Sequence, residues 1–179
     1  KFMDIMARFA DHIDSVFGPE EGKKKGYPGH QEIELALVRL YKATGNRKYL
    51  KLAKYFLDER GKQPYYFDIE FEKRGRKEFW PGHRNMGRHY DQAHLPVREQ
   101  KEAVGHAVRA LYMYSGMADV AMETGDEELL EVCRRLWNNI VYKRMYITGA
   151  VGSQVFGESF TFDYDLPNDT VYGETCAAI

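Results

Sequence analysis

The sequence predicts an all-α fold, built from helical hairpins that close into part of an (α/α) barrel, or toroid. Apolar residues recur at helical spacing over most of the 179 residues. The same turn also occurs twice, as KATGN at residues 42–46 and METGD at residues 122–126, and a leucine-bearing helix follows each copy. The two copies lie about 80 residues apart, which is longer than the repeat of a short solenoid. The pattern alone leaves a solenoid open as the alternative.

The first hairpin is defined by its turn residues. An apolar stripe predicts a helix over residues 31–44, and Gly45 follows as a C-terminal stop. Asn46 is a suitable N-cap for a second helix over residues 48–60, which Gly61 ends. We therefore expect two helices joined by a tight turn.

The second hairpin repeats this arrangement. A long helix is predicted over residues 102–124, with Gly125 as its stop. Asp126 can then cap a helix over residues 127–141.

The remaining segments have weaker patterns. Residues 1–10 have the composition of the middle of a helix, while residues 63–96 and 146–171 form long inserts rich in glycine and aromatic residues. Short strands are plausible near residues 143–148. Long inserts of this kind usually carry function. We expect residues 1–179 to be part of one domain, truncated at both ends, with residues 177–179 opening a further helix.

Composition excludes several classes of function. The 26 Lys and Arg residues against 27 Asp and Glu residues give a net charge of −1, which does not favour a nucleic-acid partner. No apolar run is long enough to span a membrane, and the N-terminal residues do not resemble a signal peptide. Two isolated cysteines favour a reducing, cytoplasmic location. The aromatic content of 14% suits a sugar-binding cleft as well as a core.

Titratable residues recur at one topological position. His30, His106 and the Glu174-Thr175-Cys176 segment each lie at or near the start of a leading helix. In a barrel of hairpins these helix starts share one rim, so the side chains would converge there. A structural histidine is the ordinary interpretation of either His30 or His106 alone, but the threefold coincidence favours a site.

Two further features could carry chemistry. Glu174 and Cys176 have the spacing of half a zinc site, although a buried structural cysteine is the simpler interpretation of that spacing. Glu158 lies in a loop flanked by aromatic residues and could act as a general acid, although most loop carboxylates are simply solvated. Cys133 lies in a predicted helix, where core packing explains it.

Several motifs in order resemble the β-L-arabinofuranosidase family of glycoside hydrolases, family 127. The resemblance covers essentially the whole chain. Its motifs are HLPVREQ at 94–100, GHAVRA at 105–110, ITGAVGS at 147–153, GE at 157–158, YDLPND at 164–169 and YGETCAA at 172–178.

The resemblance implies an (α/α)6 barrel whose members cleave terminal β-L-arabinofuranosyl linkages with retention. The family's acid/base glutamate matches Glu158, and Glu174 and Cys176 match two of its zinc ligands. Its sugar-contacting histidines match His30 and His106. The family's nucleophile is a zinc-bound cysteine of a downstream Cys-Cys pair, which these 179 residues do not include. This chain alone is therefore expected to be inactive.

Two other functions remain open. One is a related (α/α)-barrel enzyme that acts on another sugar by epimerisation or lyase-type chemistry through histidines, which should tolerate loss of Cys176. The other is a carbohydrate-binding helical scaffold without catalysis. Part of a barrel would also leave the apolar faces of inner helices uncovered, so we expect self-association of this chain.

Overall fold

The computed structural model describes residues 1–177, and this part of the chain is mostly helical, as the sequence predicts. Its α-helices are α1 (Phe2–Val16), α2 (Ile33–Thr44), α3 (Arg47–Glu59), α4 (Tyr66–Lys73), α5 (Gly87–Tyr90), α6 (Ala107–Thr124) and α7 (Glu127–Asn139). Two short strands, β1 (Gly105–His106) and β2 (Ser159–Phe160), pair antiparallel. None of the helices within residues 1–177 is long and apolar enough to cross a membrane.

The two predicted hairpins are confirmed as α2–α3 and α6–α7. Gly45 and Gly125 both adopt the left-handed conformation, with φ of 70° and 68°, that ends a helix without steric penalty. The Asn46 side chain accepts a hydrogen bond from the Lys48 amide at 3.1 Å. The Asp126 side chain accepts one from the Leu129 amide at 3.0 Å. Both predicted N-caps are therefore present.

Helix α6 lies at the centre of the core, where it packs against α2, α3 and α7. It approaches α2 closely at Gly116, where an added Cβ would lie 3.1 Å from the Cβ of Glu34. Burial of each large aliphatic side chain in this core contributes about 1.5–3 kcal/mol. The fully buried members include Val38, Leu57, Met113, Met117, Val120, Leu129 and Leu136. This core fixes the starts of α2 and α6, where the candidate site residues lie.

The predicted start of the long helix is wrong. Residues 102–106 are not helical: Glu102 lies in a bend, Gly105 and His106 form β1, and α6 begins only at Ala107. Gly105 has a φ of 71° and lies so close to the His89 carbonyl that a Cβ would overlap it. The Asn139 side chain accepts the Ala103 amide hydrogen at 2.9 Å, which ties this segment to the end of α7. Tertiary contacts therefore override the helical pattern over five residues.

Two other expectations are corrected. Residues 143–148 form no strand; Ile140–Arg144 is a π-helical turn, and only an isolated bridge joins Met145 to Val151. The insert over residues 63–96, in which the sequence pattern indicates no regular element, contains α4 and α5. At the other end, Thr175–Ala177 forms a 3-10 turn, while the rest of the helix predicted over residues 177–179 falls on Ala178 and Ile179, outside the described residues.

One ion pair connects the segment just after the insert over residues 63–96 to the second hairpin and gives a first prediction. The Arg98 guanidinium donates to both carboxylate oxygens of Asp126, at 3.0 and 2.6 Å, while Asp126 also caps α7. Asp126→Ala should lower the free energy of unfolding by about 2 kcal/mol, because a cap and a charge-assisted pair are both lost. Asp126→Asn keeps the cap acceptor and should lose about half as much. Thermal denaturation of both variants at pH 7 measures this difference.

The pH dependence provides the control. The hydrogen bond from Arg98 is the main cause that lowers the pKa of Asp126 below its ordinary value of 3.8. A lowered pKa in the folded state means that this stabilisation is complete above about pH 4 and is lost as the pH falls further. The advantage of the wild type over Asp126→Asn should therefore shrink toward pH 3. An advantage that is unchanged at pH 3 would contradict this role for the Asp126 charge.

Candidate active site

The β1–β2 pair brings His106 and Glu158 together across 52 residues of sequence. His106 pairs with Ser159, so the residue before Ser159 is placed against the imidazole. The His106 Nε2 atom lies 2.9 Å from Glu158 Oε2. The Glu158 side chain is 39 % exposed, whereas that of His106 is 9 % exposed. A buried imidazole thus holds a carboxylate that solvent can reach.

Hydrogen bonding determines the tautomer of His106. Its Nδ1 atom accepts the backbone amide hydrogen of Arg109 at 3.3 Å, since His106 is the N-cap of α6. In a neutral imidazole the other nitrogen then carries the proton. His106 therefore donates its Nε2–H to Glu158. Burial is the main cause that lowers the pKa of His106, and the positive charge of Arg109 lowers it further.

His30 lies beside His106 with the opposite tautomer. The two rings meet edge to face with centroids 5.9 Å apart. The Nδ1 atom of His30 lies 3.1 Å from the Gln31 carbonyl, to which it donates, leaving Nε2 as an acceptor. Burial is again the main cause that lowers its pKa, followed by the charge of Arg109. The pair offers hydrogen-bonding groups typical of a sugar-binding site.

Glu158 has an unusual backbone. Its φ of 49° follows a φ of 70° at Gly157. A non-glycine residue in this region costs about 1–3 kcal/mol and persists where surrounding contacts enforce it. Those contacts include the bridge between Gln154 and Ser159 and the hydrogen bond from the Ser159 hydroxyl to the Gly157 carbonyl at 2.6 Å. The loop is therefore built to hold this carboxylate in place.

A second segment brings Tyr172, Glu174 and Cys176 to the same place. The Tyr172 amide donates to the Gly152 carbonyl at 2.8 Å, which lays this segment along the glycine-rich insert. The negative charge of Glu158 is the main cause that raises the pKa of the Tyr172 phenol, and Glu174 and Cys176 contribute to it. Glu174 is half-buried and Cys176 is exposed. Glu158 thus contacts His106, His106 contacts His30, and Glu158, Glu174 and Cys176 all lie near enough to Tyr172 to act on its phenol.

The donor set bears on the zinc prediction. A carboxylate and a thiol are both ligands that zinc accepts, but a zinc site takes three or four protein ligands. Within residues 1–177, no group of three or more His, Cys, Asp or Glu side chains is arranged to hold a metal. Glu174 and Cys176 are donors of the kinds that zinc accepts, but two donors alone do not make a zinc site.

Comparison with known proteins identifies the family. A model described as "Beta-L-arabinofuranosidase, GH127 catalytic domain" matches residues 1–179. The chain belongs to glycoside hydrolase family 127. Among its relatives is the non-reducing end β-L-arabinofuranosidase of Bifidobacterium longum subsp. longum, which is 47% identical over 177 residues. That match covers 99% of this chain and 27% of the relative, so the chain spans about a quarter of the relative's length.

Solved structures of the family have the same fold. A β-L-arabinofuranosidase of family 127 from Geobacillus stearothermophilus T6 is 62% identical, with a TM-score of 0.94, over 99% of this chain and 28% of that one. A second β-arabinofuranosidase of the family is 48% identical, with a TM-score of 0.83, over 99% of this chain and 25% of that one. The helical hairpins and their inserts are therefore a family feature.

Sequence reasoning missed three residues around the site. Tyr172 lies two residues before Glu174, within a motif that the resemblance already singled out. Arg109 follows His106 by three residues, which places it in the first turn of the same helix and could have signalled it. Asp91 lies within 3.5 Å of the Arg109 guanidinium. No local pattern distinguishes Asp91, because its position depends on the path of the insert.

Proposed function

We propose that the full-length protein is a retaining glycosidase that removes terminal β-L-arabinofuranosyl residues, with Glu158 as its acid/base. The observation that carries this proposal is the 2.9 Å contact between the Glu158 carboxylate and His106 Nε2, in a chain of this family. The sugar specificity is supported by the 47% identity to an enzyme of that name.

The geometry supports distinct roles for the three nearest residues. Glu158 is exposed enough to protonate the glycosidic oxygen as its bond to the sugar breaks, and later to deprotonate the attacking water. His106 donates Nε2–H to one carboxylate oxygen, which leaves the other oxygen for proton transfer. His30 presents an Nε2 acceptor to a sugar hydroxyl.

We further propose that Glu174 and Cys176 bind zinc together with ligands from parts of the protein outside these 179 residues. Bound zinc would hold a thiolate deprotonated near neutral pH and so provide a nucleophile. The isolated 179-residue chain would then lack turnover.

Assays of the full-length protein test the proposed function. It should hydrolyse p-nitrophenyl β-L-arabinofuranoside much faster than the α-L-arabinofuranoside, and ¹H NMR should show β-L-arabinose as the first product, before mutarotation. The α-anomer as first product would contradict retention. Binding of L-arabinose without turnover of any arabinofuranoside would favour the non-catalytic scaffold.

Two lesser proposals concern this chain by itself. Apolar side chains line one groove between α1 and α2, including Met6, Phe9 and Ile33, and another beside α6 and α7, including Trp137. We propose that these surfaces cause self-association of the isolated chain, which hides them from water. A cytoplasmic location is proposed from the two unpaired cysteines alone.

A further inference from the structure

We propose that Arg109 is a positioning residue for the reaction. Its side chain holds the His30 loop and the His106 ring so that both imidazoles contact the sugar in their uncharged form. This inference rests on the proposed function, because it concerns the same site. It assigns a task to a buried cation that the acid/base chemistry itself does not use.

The Arg109 side chain is anchored on two segments at once. Its Nη1 atom donates to the Gly29 carbonyl at 2.5 Å, one residue before His30. The same nitrogen lies 3.5 Å from Asp91 Oδ1, and the guanidinium lies over the Tyr90 ring at 5.0 Å. Tyr90 in turn contacts His106, with ring centroids 5.4 Å apart. The side chain therefore connects the segments that carry both histidines.

The Arg109 backbone acts on His106 directly. Its amide hydrogen occupies Nδ1 of that ring, which directs Nε2–H to Glu158. A protonated His106 could not accept this amide hydrogen, since both of its nitrogens would be donors. The start of α6 therefore favours the neutral ring by geometry, independently of any nearby charge.

The charged groups around each imidazole also favour its neutral form. His106 faces the cation Arg109, the neighbouring imidazole of His30 and the anion Glu158, and burial with Arg109 outweighs the anion, so that its pKa is lowered. His30 faces the cations Arg109 and Arg60 and the anions Glu32 and Asp91, and its pKa is lowered too. Asp91 keeps Arg109 in place, although burial raises the pKa of this carboxyl. Arg109 is the cation common to both histidines.

Substitutions of Arg109 in the full-length enzyme separate the effect of its charge from the effect of its shape. Arg109→Gln should lower kcat by about 10- to 100-fold, because His30 and His106 would no longer be held in position. It should also move the acid limb of the kcat/KM profile upward by roughly half a pH unit or more, because the nearby positive charge is gone. Arg109→Lys keeps the charge but not the planar fork, so kcat should fall while the acid limb stays in place.

Arg135→Gln is the matched control, since Arg135 also donates to a backbone carbonyl, that of Arg98 at 3.2 Å, but lies in α7 away from the site. It should change neither kcat nor the acid limb. An unmoved acid limb in Arg109→Gln, or a wild-type kcat in Arg109→Lys, would overturn the proposal. If Arg109→Gln does not fold, the kcat of Arg109→Lys decides.

A second measurement separates this proposal from the proposed function. NMR titration of ¹³C-labelled histidines reads the pKa of both imidazoles without any substrate. Arg109→Gln should raise both values even if arabinofuranosides prove not to be substrates. Unchanged values would overturn the role of Arg109 while leaving the glycosidase assignment intact.

Discussion

Glu158→Gln in the full-length protein is expected to lower kcat on an alkyl β-L-arabinofuranoside by about 10²- to 10⁴-fold, the usual contribution of a general acid/base. Glutamine has nearly the same shape, and its amide oxygen can still accept the His106 Nε2–H bond that holds the carboxylate at 2.9 Å. The loop should therefore keep its conformation while the proton is lost. The measurement is steady-state kinetics with circular dichroism as a check of folding.

The leaving group distinguishes acid catalysis from a structural effect. A dinitrophenolate needs little protonation as it departs, so the bond-breaking step with a dinitrophenyl glycoside should be much less impaired in Glu158→Gln. Azide needs no general base and should restore turnover in the second half of the reaction, where water requires one. Both effects follow from the loss of one transferable proton.

A surface carboxylate supplies the control for this experiment. Glu127 is exposed in the first turn of α7, and Glu127→Gln should leave kcat unchanged. Equal losses for alkyl and dinitrophenyl substrates in Glu158→Gln, with no effect of azide, would mean that Glu158 supports the site without transferring a proton.

The hairpins were predictable because their signals are local. Gly45 and Gly125 stop helices through their own backbone freedom, and Asn46 and Asp126 cap helices through contacts two or three residues away. Such signals need no knowledge of the rest of the chain. Closure of six hairpins into a barrel involves many more residues than 1–177 and stays a prediction.

The site was predictable only in part. The positions of the helix starts indicated His30 and His106, whereas the role of Glu158 came from the family resemblance. The contact of Glu158 with His106 depends on a two-residue strand pair. Nothing in residues 102–106 indicates that strand, since the helical pattern runs through it. The close approach of Gly105 to the His89 carbonyl decides its path, and this contact is long-range.

Arg60→Met is expected to lower the free energy of unfolding by about 3–5 kcal/mol, the usual effect of removing one partner of a buried ion pair. Arg60 is 0 % exposed, and it donates to the Asp91 carbonyl at 2.9 Å and to the Pro28 carbonyl at 2.7 Å. Glu34, which is 1 % exposed, lies 4.0 Å from its guanidinium. Methionine fills similar volume but satisfies none of these groups. Chemical denaturation against Arg39→Met, an exposed arginine that should lose less than about 1 kcal/mol, measures the effect.

The pH dependence of Arg60→Met identifies the buried charge responsible. Burial is the main cause that raises the pKa of Glu34, and Arg60 is the main influence that lowers it. The pKa of Glu34 is already raised with Arg60 present, and without Arg60 it should rise further. The folded state then binds this proton still more tightly than the unfolded state does, so stability falls further as the pH rises above about 4.3. The deficit of Arg60→Met should therefore be larger at pH 8 than at pH 5. Adding Glu34→Gln to Arg60→Met should abolish this dependence of the deficit on pH. A deficit that is the same at both pH values would mean that the lost stability comes from the two carbonyl contacts of Arg60 instead.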